Sequence, residues 1–350
     1  MVWTNGLDHC YPTQRLRRRQ RDPPATWRPL HIQTITGPVE PEQLGTTLMH
    51  EHLGSLSPRG FYSGGDETDP EHLAERALAC LPQFGVSTLV DLTGRQRVLD
   101  HHDLAGVRRL AGRIHTRLVV GFSYYKDPWL EQAPTRLDPL TALYVEAAGD
   151  GAGVYGEVGT SLDTITPGEE LHLRASARAH LTTGLAISTH CTLGTMALEQ
   201  ADILAEEGAD LSRVVLGHLD LRPDLGYLEK VLATGANVAF DTFGKEWFDY
   251  RVPDSEGQGP GEYVKWAFRR TDESRVSALA ALCTAGYDRQ IVLSCDMSGA
   301  EAYLNPSTHG RYGYSYLPRV VRPRLSQAGV TEASLQRLLV DNPARILAVP

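Results

Sequence analysis

The sequence predicts an α/β protein that forms a single (β/α)8 TIM barrel, with an active site at the C-terminal ends of its strands. Three observations support this prediction. From Ile32 onward, short apolar runs alternate with longer stretches of helical character, which is the pattern of repeated βα units with a parallel sheet. Eight such runs can be marked, the number that closes a barrel of this kind. Most begin about 23 to 41 residues after the previous one, the length of one βα unit with its loops.

Each predicted strand is a short, mostly apolar run that contains β-branched residues and is followed by polar or glycine-containing loops. In chain order, the strands are Gly45–His50, Val86–Leu92, Arg117–Phe122, Gly153–Val158, Leu185–His190, Val214–His218, Asn237–Asp241 and Ile291–Asp296.

Helices are predicted between these strands wherever apolar residues recur at helical spacing. They include Pro70–Phe84, Gly168–Thr183, Met196–Gly208, Leu225–Thr234, Arg275–Ala285 and Thr331–Leu339. Glycine ends many of them, because a left-handed residue closes a helix at little cost. These glycines are Gly85, Gly184, Gly208, Gly235 and Gly286.

Two regions fall outside the regular pattern. Residues 1–31 are rich in basic residues and proline and poor in aliphatic residues, so they are expected to form a flexible extension, and the barrel is assigned to residues 32–350. Two long segments, Lys245–Pro260 and Met297–Gly313, follow the seventh and eighth strands. Because loops after barrel strands lie on the active-site face, both segments are expected to cover the site.

Composition excludes several classes of protein. The 350 residues include 34 Lys+Arg and 43 Asp+Glu, a formal net charge of -9, whereas nucleic-acid-binding proteins usually carry a basic excess. The five cysteines are widely spaced and form no CxxC pair, which does not match a disulfide framework or a thiolate zinc site. This cysteine pattern makes the reducing cytoplasm the predicted location. Since no apolar window of about 18 residues occurs, no membrane partner is expected.

Polar residues suited to metal binding stand at the C-terminal ends of the predicted strands. They are His50, His52, Glu157, His190, His218 and Asp296. His50 and His52 are two residues apart, so on a strand they face the same side. Any one of these histidines alone is more simply explained as a buried structural residue. Four imidazoles and two carboxylates together are too many ligands for one tetrahedral ion and indicate two divalent ions, of zinc, manganese, iron or cobalt.

Two such ions favour hydrolysis as the reaction. A water that bridges them becomes a nucleophile near neutral pH and attacks a polarised carbonyl or phosphoryl centre. Glu157 is the candidate bridging carboxylate, and Asp296 is the candidate catalytic residue that accepts the proton and delivers it to the leaving group. The alternative for Asp296 is a helix N-cap after the eighth strand.

Six short segments resemble the phosphotriesterase family of the amidohydrolase superfamily, and most closely its phosphotriesterase homology branch. They are Thr47-Leu48-Met49-His50-Glu51-His52, Gly156-Glu157-Val158-Gly159-Thr160-Ser161, Ser188-Thr189-His190, Leu216-Gly217-His218-Leu219-Asp220, Phe240-Asp241-Thr242-Phe243-Gly244-Lys245 and Leu293-Ser294-Cys295-Asp296. The resemblance extends over residues 33–350.

This resemblance implies a binuclear centre, usually of zinc, inside a (β/α)8 barrel. It assigns one ion to His50, His52 and Asp296 and the other to His190 and His218. Well-known phosphotriesterases have a carboxylated lysine as the bridge, and Glu157 stands in that region here. A homodimer is also expected from the family relationship.

The resemblance further implies a small-molecule substrate, with lactones and phosphorylated sugar lactones as the leading candidates. Lys245 and Arg275 are candidate anchors for a phosphate or carboxylate, although Lys245 alternatively is a solvated loop cation and Arg275 a surface partner of Glu273. Tyr125 is a candidate for lining the substrate pocket, with simple packing as its alternative. Asp241 is a candidate for orienting a ligand histidine, with a loop cap as its alternative.

Other functions remain open at this stage. The same ions support hydrolysis of phosphotriesters, phosphodiesters or amides. A barrel that binds metal without catalysis is the remaining alternative, although an intact ligand set that includes Asp296 argues against it.

Overall fold

The structure is a computed structural model that describes residues 30–53, 70–93, 104–251, 266–297 and 312–350. Twelve strands are assigned within these ranges. They are β1 (Ile32–Thr34), β2 (Gly37–Val39), β3 (Thr46–Glu51), β4 (Val86–Asp91), β5 (Arg117–Phe122), β6 (Val154–Thr160), β7 (Ala186–Cys191), β8 (Val214–Gly217), β9 (Asn237–Phe240), β10 (Trp247–Arg251), β11 (Trp266–Arg270) and β12 (Ile291–Leu293).

Eight of these strands form one parallel sheet in the order β12-β9-β8-β7-β6-β5-β4-β3. The first and last strands, β3 and β12, adjoin at the C-terminal end of the barrel, where the amide of Asp296 donates to the carbonyl of His50 at 3.0 Å. The predicted (β/α)8 barrel is therefore confirmed. The eight predicted strands coincide with these eight strands to within a few residues at each end.

Helices surround the sheet. They are α1 (Pro70–Ala79), α2 (Leu104–Ala111), α3 (Leu137–Gly149), α4 (Pro167–Thr183), α5 (Ala197–Glu206), α6 (Leu225–Ala233), α7 (Asp272–Thr284), α8 (Arg322–Gln327), α9 (Glu332–Gln336) and α10 (Asn342–Leu347). Helix α7 begins three residues before the predicted start because the Thr271 side chain caps it, accepting from the amide of Ser274. Gly184 ends α4 with φ 74°, as a left-handed closing residue should.

The barrel has two layers of core. The interior is filled by one small or branched side chain from most strands, namely Val90, Val119, Val154, Ala186, Val215, Ala239 and Val292. Alternate residues such as Leu89, Ile187 and Leu216 belong to a second cluster, which packs the sheet against the helices. Because both faces of the sheet are buried, its strands are apolar throughout.

Two antiparallel hairpins lie outside the barrel. Strands β1 and β2 form the first, and the amide of His31, just before it, donates to the carbonyl of Val349 at 2.8 Å. The second pairs β10 with β11, so the prediction of a loop at Lys245–Pro260 is wrong for residues 247–251. Residues 1–29, 252–260 and 298–311 of the predicted extension and loops lie outside the described residues. Across the described ranges, no helix combines the length and apolar character needed to cross a lipid bilayer.

Candidate metal centre

All six residues predicted as metal ligands meet at the C-terminal end of the barrel, with Glu157 between the two groups. Its Oε1 atom lies 2.5 Å from Nδ1 of His190 and 3.0 Å from Nε2 of His218. The same carboxylate approaches Nε2 of His50 and of His52 at 3.7 Å. Glu157 is therefore placed where one carboxylate can serve both halves of a binuclear centre.

The donor atoms form two groups that are each compact enough to hold one ion. His50, His52 and Asp296 make the first group, and Glu157, His190 and His218 make the second. Within each group, the ligand atoms all lie within 4.8 Å of one another. In the first group, Nε2 of His52 is 2.8 Å from Oδ1 of Asp296.

Irregular strand pairing turns two of these side chains toward the barrel axis. The register between β3 and β4 shifts between Leu48 and Glu51, and that between β6 and β7 shifts between Tyr155 and Val158. Since Leu48 and Tyr155 pack in the outer cluster, strict alternation from these residues would point His50 and Glu157 away from the site. One extra residue in each strand reverses this direction.

Asp241 fixes the orientation of one histidine from each group. This buried carboxylate accepts from Nδ1 of His50 at 2.7 Å and from Nδ1 and the amide of His218 at 3.0 and 2.9 Å. When the rings are neutral, their Nδ1 atoms thus carry the hydrogen, which leaves the Nε2 lone pairs facing Glu157. Asp241 has the orienting position predicted as one of its two alternatives.

Thr192 favours the opposite orientation for the His190 ring, with Nδ1 rather than Nε2 toward Glu157. The Thr192 hydroxyl donates to the carbonyl of Thr160 at 2.6 Å and lies 3.0 Å from Nε2 of His190. It can therefore accept from the ring, so that Nδ1 is the atom facing Glu157. No sequence pattern singled out Thr192, because a threonine after a strand is common in loops.

The electrostatics of the cluster favour bound positive charge. Burial lowers the pKa of His50, but the carboxylates of Glu157 and Asp241 outweigh burial and raise it to about 9. Burial raises the pKa of Glu157, but the surrounding imidazoles outweigh burial and hold the pKa of that carboxyl well below its usual range. The buried Nε2 atom of His50 has no hydrogen-bond partner among the described residues. These features, with the imidazole and carboxylate donors, fit divalent cations.

Lys245 and Tyr125 both lie at the edge of this cluster. The Nζ atom of Lys245 forms an ion pair with Oδ2 of Asp296, and its side chain is 19% exposed. The Tyr125 hydroxyl lies 3.2 Å from Nε2 of His190. Tyr125, His218 and Asp296 all have positive φ values, of 68°, 62° and 46°. A positive φ is strained for residues other than glycine, and such strained residues concentrate at functional sites.

The structure does not bring Arg275 to the opening, contrary to the expectation of a substrate anchor. Arg275 is completely buried, with Nε 3.1 Å from Asp220 and Nη1 3.0 Å from Asp272. Its Nη2 atom donates to the carbonyl of Lys245 at 3.1 Å. The alternative of a surface pair with Glu273 is also wrong. Arg275 instead lies behind the loop that carries Lys245.

The chain is similar in sequence to known proteins. Residues 30–347 match the sequence model of the phosphotriesterase family. The chain is 32% identical to the phosphotriesterase homology protein of Escherichia coli (strain K12) over 311 residues, 86% of this chain and 97% of that protein. It is 30% identical to the N-acetyltaurine hydrolase of Tetraodon nigroviridis over 356 residues, 89% of this chain and 96% of that protein.

The fold of the chain is also similar to those of solved structures. The E. coli phosphotriesterase homology protein, complexed with phosphate in its active site, superposes with a TM-score of 0.71 at 31% identity, covering 87% of this chain and 99% of that one. A mutant of a phosphotriesterase-like lactonase from Deinococcus radiodurans superposes with a TM-score of 0.71 at 25% identity, covering 90% and 99%.

Proposed function

This chain belongs to the phosphotriesterase family of metal-dependent hydrolases, and we propose that it uses two divalent ions to cleave a lactone or related carbonyl ester that carries an anionic group. The observation that carries this proposal is the pairing of the two ligand groups around Glu157 with the ammonium of Lys245 at their edge. The ligand groups suit hydrolysis, and the ammonium suits a negatively charged substrate.

The two ligand groups would each hold one ion. His50, His52 and Asp296 would hold the first, His190 and His218 the second, and Glu157 would contact both. When bound, such ions supply a water that ionises near neutral pH and a Lewis acid that polarises the scissile carbonyl. Zinc is the proposed ion, and manganese, cobalt and iron suit the same donors.

Asp296 would accept and return the proton of the reaction. Its Oδ1 atom faces His52, and its Oδ2 atom contacts Lys245 at the edge of the cluster. A carboxylate held by one oxygen and accessible through the other can take a proton from the nucleophile and deliver it to the leaving group.

Lys245 would hold the anionic end of the substrate. Its side chain is partly exposed while its carbonyl is fixed by buried Arg275, so a supported loop holds the ammonium at the edge of the cluster, paired with Asp296. A carboxylate, sulfonate or phosphate several atoms from the scissile carbonyl would compete with Asp296 for this ammonium.

Amide hydrolysis is the second candidate. It is favoured by the similarity to N-acetyltaurine hydrolases, whose name describes an acyl amide with an anionic group. An uncharged phosphotriester would make no use of the Lys245 ammonium, so that class is ranked lower.

The test combines metal analysis with a substrate panel on one sample of purified protein. We expect about two divalent ions per chain by elemental analysis, together with turnover of anionic lactones or esters followed with a pH indicator. His190→Asn should abolish turnover and lower the metal content, which controls for contaminating hydrolases. Faster turnover of N-acyl amino sulfonates would select the amide alternative. Two ions with no turnover on any class would overturn the proposed function.

A further inference from the structure

Side chains join the two end strands of the barrel sheet beside the proposed metal centre. In the described part of the chain, the parallel ladders begin at β3 and end at β12. Beyond β12, residues 294–297 run alongside the end of β3, where the amide of His52 donates to the carbonyl of Met297 at 2.9 Å. This short segment contains Asp296, so its attachment to β3 decides where that carboxylate lies.

The Glu51 side chain makes three hydrogen bonds of this attachment. It is completely buried, and its Oε1 atom accepts from the Ser294 hydroxyl at 2.8 Å and from the amide of Cys295 at 3.0 Å. Its Oε2 atom accepts from the amide of Met297 at 2.7 Å. The Ser294 hydroxyl in turn accepts from the amide of His50 at 2.9 Å. One carboxylate therefore holds the residues on both sides of Asp296.

The same carboxylate stands between two proposed ligands in the sequence. His50 on β3 and His52 just after it flank Glu51 and face the barrel axis, whereas the Glu51 side chain reaches toward the segment after β12. Glu51 thus links both histidines of the first ligand group to its only carboxylate. The link also supports the left-handed backbone of Asp296, whose φ is 46°.

Two opposing effects on stability act at the Glu51 position. Removing a carboxylate from water is costly, and the three hydrogen bonds above come from neutral donors. An apolar side chain of similar volume would avoid that cost, but it would leave the amides of Cys295 and Met297 without acceptors. We propose that Glu51 is a positioning residue that assembles the His50, His52 and Asp296 half of the metal centre. This inference rests on the proposed function only in assuming that the centre binds two ions.

Replacement of Glu51 tests the inference. Glu51→Met removes both acceptor oxygens at similar side-chain volume, and we expect the affinity of one ion to fall at least about tenfold while the other stays bound. Dialysed Glu51→Met should then hold about one ion per chain where the wild type holds two. Glu51→Gln keeps one acceptor oxygen, so it should retain an intermediate affinity.

Hydrogen exchange gives a readout that does not need metal. In metal-free protein, peptides covering residues 291–297 should exchange about tenfold faster in Glu51→Met than in wild type. The matched control is Glu169→Met. Glu169 is also completely buried and accepts from Ser161 and Thr166, away from the 294–297 segment. This variant should keep two ions and wild-type exchange in that peptide.

The outcomes separate this inference from the proposed function. Two ions bound to Glu51→Met with wild-type affinity and unchanged exchange would overturn the positioning role. If that variant does not fold, Ser294→Ala removes one link of the same attachment and should lower the affinity of the same ion. A wild-type chain with two ions and no turnover would remove the proposed function and leave the role of Glu51 standing.

Discussion

Lys245 forms an ion pair with Oδ2 of Asp296, the carboxylate whose other oxygen lies 2.8 Å from Nε2 of His52. Burial would raise the pKa of Asp296, but the Lys245 ammonium together with His52 and His218 outweighs burial and holds that pKa well below its usual range. The pair therefore connects the proposed anion anchor directly to the proposed proton acceptor. A substrate anion that draws the ammonium away would make Asp296 a better base at the moment of reaction.

Replacing Lys245 should affect substrates according to their charge. We expect Lys245→Met to raise KM for anionic lactones or esters by about 10-fold or more, since hydrogen bonds to charged groups are worth about 1.5–3 kcal/mol. Neutral substrates of the same ring size should keep their KM. Steady-state kinetics on matched charged and neutral substrates measures the difference.

Lys230→Met controls for the loss of one positive charge. Lys230 lies on the exposed face of α6, so its replacement should leave both KM values unchanged. A Lys245→Met enzyme that does not distinguish charged from neutral substrates would exclude the anchor role.

Replacing Arg275 should lower the stability of the fold and also weaken the binding of anionic substrates at Lys245. It is completely buried between Asp220 and Asp272. Arg275→Met would remove the nearest cation from both buried carboxylates, and Asp272 would keep only Arg324, at 3.7 Å. We expect a loss of about 3–5 kcal/mol in the free energy of unfolding, measured with urea. Where the variant still folds, KM for anionic substrates should rise, because Arg275 also holds the carbonyl of Lys245.

The exposed pair between Arg322 and Glu332 provides the comparison. Both side chains are largely in solvent, so Arg322→Met should cost less than about 1 kcal/mol. Equal effects of the two arginine replacements would mean that the buried ion pairs do not support this part of the fold.

Replacing Asp241 should weaken the binding of both ions. It orients His50 of one ligand group and His218 of the other through their Nδ1 atoms. In Asp241→Asn, the amide group can accept from only one ring. We therefore expect metal affinity to fall about 10- to 100-fold, as measured by competition with a chromogenic chelator.

Two variants make this result specific. His190→Asn removes a ligand from one group only, so it should weaken one ion rather than two. Asp288→Asn changes another buried carboxylate, which pairs with Arg337, and should leave metal affinity unchanged. An Asp241→Asn protein that binds both ions like wild type would show that the contact does not tune the ligands.

The strands could be predicted from sequence because apolar, β-branched residues are needed on both faces of a buried parallel sheet. The helix α3 was not among the predicted helices, although Leu140, Tyr144 and Ala147 pack at helical spacing. Its middle contains Thr141 and Val145. β-branched residues disfavour helix formation, and tertiary packing overrides that preference here.

The chain positions of the six proposed ligand residues could also be predicted, but the directions of their side chains could not. Strict alternation from Leu48 and Tyr155 gives the wrong side for His50 and Glu157, and only the register shifts in β3 and β6 correct it. Arg275 shows the opposite case. Its charge suggested a substrate anchor, because nothing in the sequence reveals that Asp220, 55 positions earlier, lies 3.1 Å away.

His172 should make the fold sensitive to mild acid. Its buried ring packs against Tyr124 and Tyr144, with Nδ1 3.3 Å from the Tyr144 hydroxyl, and burial lowers its pKa from 6.5 to about 4. The unfolded chain thus binds a proton between these two values that the folded chain does not. Stability from this group is complete above pH 6.5 and is lost as the pH falls toward 4, by up to about 3 kcal/mol.

A variant without the imidazole isolates this contribution from that of the carboxylates, which also titrate in acid. His172→Gln should be less stable than wild type at pH 7.5, because it loses the ring packing against Tyr124 and Tyr144. The difference between the two urea midpoints should then narrow as the pH falls to 4, because only the wild type loses stability by keeping this imidazole unprotonated. Parallel pH profiles for the two proteins would mean that His172 is protonated in the fold or exposed in solution, and the packing described here would be wrong at that point.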